Sequence, residues 1–320
     1  MYLCFVKQIL TTNNNNNMKK KILMSAALLV SSIFAFAQFP GGGGFGGFGG
    51  FGGGAPGQEA IPEGATKIML WGKGKNKAPN DNHTTDPRDI GFEPFINVYP
   101  AENPNGLAVL CLPGGGYAVL SKSQEGYGHA KWFNDQGITF ILLEYRMPHT
   151  YTDVPLSDVK QAWRIIMKHA DEWGIKKLGV MGSSAGGHLA STAATHYDED
   201  TRPDFQILFY PVISMDKSIT HLSSHDLLLG EDASEELERE YSNNLKVTPQ
   251  TPPAFIIHST NDPLVPVKNS LLYYEALVEN KVPATMMIYP VGGHGYGCGD
   301  FFAYKKELFE TLAKWLDTQK

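Results

Sequence analysis

The stretch VMGSSAGGHLAS, residues 180–191, places two adjacent serines among glycines and alanines directly after an apolar run. A serine hydroxyl acts as a nucleophile when it stands on a sharp strand-to-helix turn, and such a turn closes only if the residues two before and two after it are small. Gly182 and Gly186 put that requirement on Ser184, which leaves Ser183 as packing. A helix starting at Ser184 would also aim free N–H groups and the positive end of its dipole at an oxyanion formed there. The same glycine spacing suits a plain tight turn, so the apolar strand before it and the helical pattern after it carry the reading.

A nucleophilic serine needs a base. His188 lies four residues on, one turn along the same helix, and so points along or behind that helix rather than across at the hydroxyl. It is read as structural. Where such a turn carries a triad, acid and histidine follow the serine in that order. The chain supplies Asp262 in STNDPLVP, after the run AFIIH, and His294 in PVGGHGYG, after ATMMIY. Both fall in loops just past the C-terminal ends of expected strands, where open α/β sheets bind ligands. Asn-Asp-Pro is also a turn former, so Asp262 draws its weight from His294, whose glycine neighbours leave it little to pack against.

Other candidates carry less. His221, His225 and Asp226 cluster without any repeated ligand spacing and are read as a polar, lid-like segment between Ile213 and Glu231, not a metal site. Glu125 is read as capping a helix or lining the cleft, with a structural role favoured. Cys111 and Cys298 are read as core residues, a bridge between them being the lesser alternative.

The elements that must position these residues are legible as apolar runs. KIMLW, INVYP, LAVLCL, ITFILLE, KLGVM, FQILFY, AFIIH and ATMMIY read as strands, most too continuously apolar for a sheet with one wet face. Helical patterns lie between them at about 126–136, 157–173, 185–196, 267–280 and 304–317. This alternation specifies a mostly parallel central sheet of about eight strands with helices on both faces, spanning residues 59–320 as one domain.

The N-terminal part has a different character. Met18 opens three lysines, an apolar run and Ala35-Phe36-Ala37, the pattern of a secretory signal peptide over residues 18–37. The apolar run is short for a membrane span, no lipid-accepting cysteine stands at the cleavage point, and residues 1–17 read as an upstream extension. Residues 38–58, rich in glycine and phenylalanine, read as a flexible linker. Removing residues 1–37 takes four of the 27 basic side chains and none of the 33 acidic ones, leaving 23 against 33, a net charge of −10. Such a surface repels phosphate backbones and excludes nucleic acid as a partner. A periplasmic or secreted location follows, without stable membrane insertion after cleavage.

Taken in order, PGGGYAVLSKSQEG, LLEYRMP, PLSDVKQAWRII, GVMGSSAGGHLAS, FQILFYPVIS, LLLG, VTPQTPPAFIIHSTNDPLVPVKNSLLYYEAL and YPVGGHGYG resemble the bacterial carbohydrate acetylesterases of the α/β hydrolase superfamily, including acetyl xylan esterase-like enzymes. The resemblance covers about residues 65–318. It implies an α/β hydrolase fold, with Ser184 as nucleophile, Asp262 as orienting acid and His294 as base. The glycine loop after Pro113 would then build the oxyanion hole from the amides of Gly115, Gly116 and Ala185, although Pro113 takes the place usually held by a histidine. It further implies an acetylated carbohydrate as substrate and a reaction that needs neither cofactor nor metal. Feruloyl esterase, another carboxylesterase or a peptidase of the same fold, and a non-catalytic carbohydrate-binding relative, stand as alternatives.

Overall fold

All eight apolar runs form strands. The computed structural model describes residues 64–72, 77–87 and 89–320; the expected leader and linker lie outside them. The strands are β1 (Thr66–Met69), β2 (Phe95–Tyr99), β3 (Leu107–Leu112), β4 (Thr139–Glu144), β5 (Lys177–Ser183), β6 (Gln206–Phe209), β7 (Ala254–Ser259) and β8 (Ala284–Tyr289). They make one open sheet in the order β1-β2-β4-β3-β5-β6-β7-β8. The pairs β1–β2 and β2–β4 are antiparallel and every pair from β4 to β8 is parallel.

The helices are α1 (Ala130–Asp135), α2 (Asp153–Lys168), α3 (Ser184–Ala193), α4 (Leu222–Leu229), α5 (Glu235–Glu240), α6 (Lys268–Glu279) and α7 (Lys305–Asp317). Alternate residues of β3 sort to the two faces as strand geometry requires. Ala108, Leu110 and Leu112 join a core with Val159 and Trp163 of α2, Leu189 of α3 and Tyr273 of α6. Leu107, Val109 and Cys111 join a second core with Phe133 of α1 and Leu308 and Leu312 of α7. The covered faces explain why the central strands are apolar throughout.

Element bounds depart from expectation where local chemistry intervenes. Helix α2 begins four residues early, because Pro155 in its first turn forfeits no intrahelical bond, and stops at Lys168. Gly126 and Gly128 hold α1 to a single short helix behind a 3-10 turn, Tyr127–His129. The segment expected to be lid-like contains α4, and α5 follows it, its start capped by Ser234 Oγ, which accepts from the Leu237 amide at 3.3 Å. Among the described residues no helix is long and apolar enough to cross a membrane.

Candidate active site

The C-terminal ends of β3, β5, β7 and β8 bring the glycine loop, Ser184, Asp262 and His294 to one place. Ser184 follows β5 directly, opens α3 and takes a left-handed backbone conformation, φ 54°. For a non-glycine residue that costs on the order of 1–3 kcal/mol, so the surroundings must enforce it. They do so by close approach. A Cβ on Gly182 would fall 2.1 Å from the Gly186 carbonyl oxygen, and one on Gly186 would fall 2.1 Å from that of Leu112. Ser183 lies fully buried in the strand, apart from this chemistry.

His294 Nε2 lies 2.9 Å from Ser184 Oγ, and its Nδ1 lies 2.7 Å from Asp262 Oδ2. A carboxylate opposite Nδ1 fixes the proton there and leaves Nε2 free to accept from the serine hydroxyl. The Asp262 side chain is fully buried, and its Oδ1 accepts the amides of Leu264 and Val265, each at 2.9 Å. Burial alone would raise this carboxyl. Hydrogen bonds from His258, His294 and the Val265 amide outweigh it and hold the group well below the usual carboxylate range.

His188 stands elsewhere. Its Nε2 is 2.8 Å from the Tyr241 carbonyl oxygen and so carries the proton, while Nδ1, 2.9 Å away, accepts from the Tyr117 hydroxyl. Burial lowers its pKa to about 4, keeping it neutral, and both nitrogens are occupied. Its bond to Tyr117 fastens α3 to the glycine loop.

In that loop Gly115 and Gly116 have φ 125° and 67°, and a Cβ on Gly115 would fall 2.1 Å from the Val119 carbonyl oxygen. The Gly114 amide donates to Glu125 Oε2 at 3.1 Å, so within the run the following two amides are the candidates for an oxyanion. Ala185, expected as the third donor, is fully buried and follows Ser184 in the first turn of α3.

Glu125 is more than a cap. It is buried, and its Oε1 accepts the Tyr210 hydroxyl at 2.8 Å. Tyr210, just past β6 at φ 34°, packs its ring 4.6 Å from that of His294, and its oxygen accepts the Gly297 amide at 2.8 Å. One carboxylate thus ties the glycine loop to the histidine loop. Burial pushes its pKa up, and the charge of His294, the Tyr210 hydroxyl and the Gly114 amide offset only part of the rise.

Sequence reasoning did not find Tyr210, Asn261 or His258. Asn261 Oδ1 accepts the Gly293 amide at 2.9 Å, pinning the histidine loop to the Asp262 loop. His258 Nε2 lies 2.9 Å from the Val265 carbonyl oxygen and 3.3 Å from Asp262 Oδ2, so it carries the proton, and Nδ1 accepts from Ser270 Oγ at 2.7 Å. The only signal for Asn261 was its place beside Asp262; a tyrosine and a histidine ending apolar strands look like core.

The remaining candidates have other partners. His225 is held between Asp226 Oδ1 at 2.8 Å and Glu238 Oε1 at 3.0 Å. His221 comes close to the glycine loop: a Cβ on Gly116 would lie 3.6 Å from its Cε1. Cys111 and Cys298 are free thiols rather than a bridge. Burial pushes the Cys111 thiol up, and its sulfur lies 3.3 Å from the Glu125 carbonyl oxygen.

A serine, an imidazole and a carboxylate in this geometry can activate a hydroxyl for attack on a carbonyl carbon. A family model described as BD-FAE matches residues 96–277, more than half of the chain and all of the elements that carry Ser184 and Asp262. The chain belongs to the BD-FAE family. Similar proteins include an acetylxylan esterase of Xylanibacter ruminicola, 42% identical over 234 residues, which cover 71% of this chain and 48% of that protein. An endo-1,4-beta-xylanase B of Butyrivibrio fibrisolvens is 37% identical over 64% of this chain and 35% of its own. The chain thus spans less than half the length of these curated relatives. Among solved structures, an acetyl ester-xyloside bifunctional hydrolase from Caldicellulosiruptor lactoaceticus matches with a TM-score of 0.71 and 33% identity, over 81% of this chain and 97% of that one. MGS-M1, an α/β hydrolase from a deep-sea metagenome library, matches at TM-score 0.59 and 24% identity over 80% and 97% of the two chains, a likeness of fold. The fold of this BD-FAE chain is that of the α/β hydrolases.

Proposed function

We propose that this protein is a serine esterase that removes acetyl groups from plant-type polysaccharides or oligosaccharides. The observation that carries the proposal is the continuous relay Ser184 Oγ, His294 Nε2, His294 Nδ1, Asp262 Oδ2, with steps of 2.9 and 2.7 Å. Relatives described as an acetylxylan esterase and an acetyl ester-xyloside hydrolase support the acetyl and carbohydrate parts of it.

In the first step Ser184 Oγ attacks the ester carbonyl carbon and His294 Nε2 takes its proton. Asp262 stabilises the imidazolium, and the amides of Gly115, Gly116 and Ala185 receive the oxyanion. The intermediate collapses with the carbon–oxygen bond to the sugar breaking, and His294 returns the proton to the departing hydroxyl. Water, deprotonated by His294, then attacks the acetyl-serine; Ser184 leaves with that proton and acetate is released. Export through the residue 18–37 leader suits a polymeric substrate outside the cytoplasm.

The test is acetate release from acetylated xylan by the chain beginning at Gln38, compared with its Ser184→Ala variant. We expect release by the parent and a loss of about a millionfold in kcat for the variant. Acetate release at the parental rate by Ser184→Ala would overturn the assignment, and turnover of feruloylated but not acetylated xylan would replace the acyl group.

A further inference from the structure

Beside the reaction centre lies a cleft of about 810 Å³, within the range of small-molecule sites, and the reaction as derived does not use it. Its lining contains neither Ser184 nor His294 but begins with Tyr117 and Ala118, the two residues after Gly116. Helix α4 continues the wall. Ser223 at its start has Oγ 3.9 Å from where a Gly116 Cβ would lie, and Leu227, one turn further on the same face, lines the cleft. A chain seated in the cleft therefore runs along a wall that ends at the glycine loop.

The cleft is built under strain. Among the described residues seven non-glycine positions have a left-handed backbone: Ser184 and Tyr210 lie at the reaction centre, His83, Tyr117, His149 and Thr150 all line this cleft, and Lys281 stands apart, just after α6. Each persists only where the surroundings enforce it. Those surroundings are visible. The Thr150 amide donates to the Leu227 carbonyl at 2.9 Å, His149 Nε2 lies 2.7 Å from Asp89 Oδ2, and Asn82 Nδ2 donates to the Met147 carbonyl at 2.8 Å. Arg146, paired with the fully buried Asp158 at 2.7 Å, donates from Nη1 to the Asn80 carbonyl at 3.0 Å and so anchors the chain just ahead of Asn82.

The lining chemistry selects the occupant. Thr84, Thr85 and Thr150 line it, and threonine hydroxyls exchange hydrogen bonds with sugar hydroxyls. Tyr151, 42% exposed, presents an aromatic ring braced by His83 at 5.0 Å between ring centres, a face on which the C–H surface of a sugar ring packs. A preformed polar cleft with one braced aromatic ring suits a neutral oligosaccharide better than an acyl chain. We infer that this cleft binds the sugar chain that carries the ester, with Tyr151 as its stacking platform and the glycine loop at its reactive end. The inference rests on the carbohydrate-ester reading above and adds the place where the chain lies.

The experiment compares kcat/KM for an acetylated xylo-oligosaccharide with that for p-nitrophenyl acetate, which has no sugar to fill the cleft. Tyr151→Ala removes the platform, and Thr85→Trp, at an exposed position, blocks the cleft; Tyr151→Phe keeps the ring. The first two should lower the oligosaccharide-to-small-ester ratio about tenfold, through KM, and the third should preserve it. If the parent prefers the oligosaccharide and both Tyr151→Ala and Thr85→Trp keep that preference, the cleft assignment fails while the carbohydrate reading stands. If the parent cleaves p-nitrophenyl acetate and no acetylated glycan, the carbohydrate reading fails and takes this inference with it.

Discussion

Two buried carboxylates serve the same imidazole, and their surroundings drive them in opposite directions. Asp262, in the loop after β7, receives two amides and two imidazole N–H groups, and its pKa is held down although its side chain is fully buried. Glu125, in the turn after β3, receives the Gly114 amide and the Tyr210 hydroxyl, and burial wins, so its pKa is raised. Glu125 lies deeper, and the supply of donors differs as well. Lighter burial and the fuller set of donors hold the Asp262 pKa down, whereas Glu125 braces two loops.

The largest effect should come from breaking the charged side. Asp262→Asn keeps the shape but leaves His294 free to adopt the wrong tautomer, and kcat on p-nitrophenyl acetate should fall about ten-thousandfold. A depressed folded pKa contributes stability that is present above the ordinary value of 3.8 and is lost as pH falls through the folded value. The melting temperature of Asp262→Asn should therefore trail the parent at pH 7, and the gap should narrow below about pH 3.8. A gap independent of pH would mean that Asp262 is not held ionised by its donors.

Glu125→Gln reads the other side and should cost less. The glutamine oxygen can still accept the Gly114 amide, so the glycine loop shifts only slightly and kcat should fall by no more than about a hundredfold. Here the sign reverses. A raised folded pKa contributes stability that is complete below the ordinary value of 4.5 and lost as pH rises through the folded value. Melts of Glu125→Gln against the parent should show the variant gaining relative stability as pH rises above about 4.5. If the two variants respond to pH in the same direction, the contrast between the carboxylates is wrong.

The sequence made one side of this contrast far more legible than the other. Ser184 stood out because its glycine spacing is a steric requirement, and Asp262 and His294 because both follow apolar runs in the order the turn demands. The strands were readable for a related reason: a sheet covered on both faces leaves continuous apolar runs. Glu125 was legible only as a structural residue near the cleft and Tyr210 not at all, because their link is a contact between residues 85 positions apart, and a tyrosine ending FQILFY is an ordinary core residue by type. The cleft was least legible of all. Residues 80–89 have no period to read, and left-handed conformations at His83, His149 and Thr150 are imposed by contacts that residue types do not announce.

The smallest effect tests whether donor supply, rather than the His294 bond alone, holds Asp262 charged. His258 adds a donor from the far side, and its tautomer is set because Ser270 Oγ donates to Nδ1 and leaves the proton on Nε2, facing Asp262 and the Val265 carbonyl. Ser270→Ala removes that instruction without touching Asp262, Ser184 or His294. It should cost about 1 kcal/mol of stability and lower kcat by less than about fivefold. Its stability deficit should also narrow in acid, in the same direction as that of Asp262→Asn but less steeply, because the donor it weakens acts on Asp262. A deficit that leaves the acid dependence of the parent unchanged would confine His258 to packing and assign the low pKa of Asp262 to His294 and the two amides.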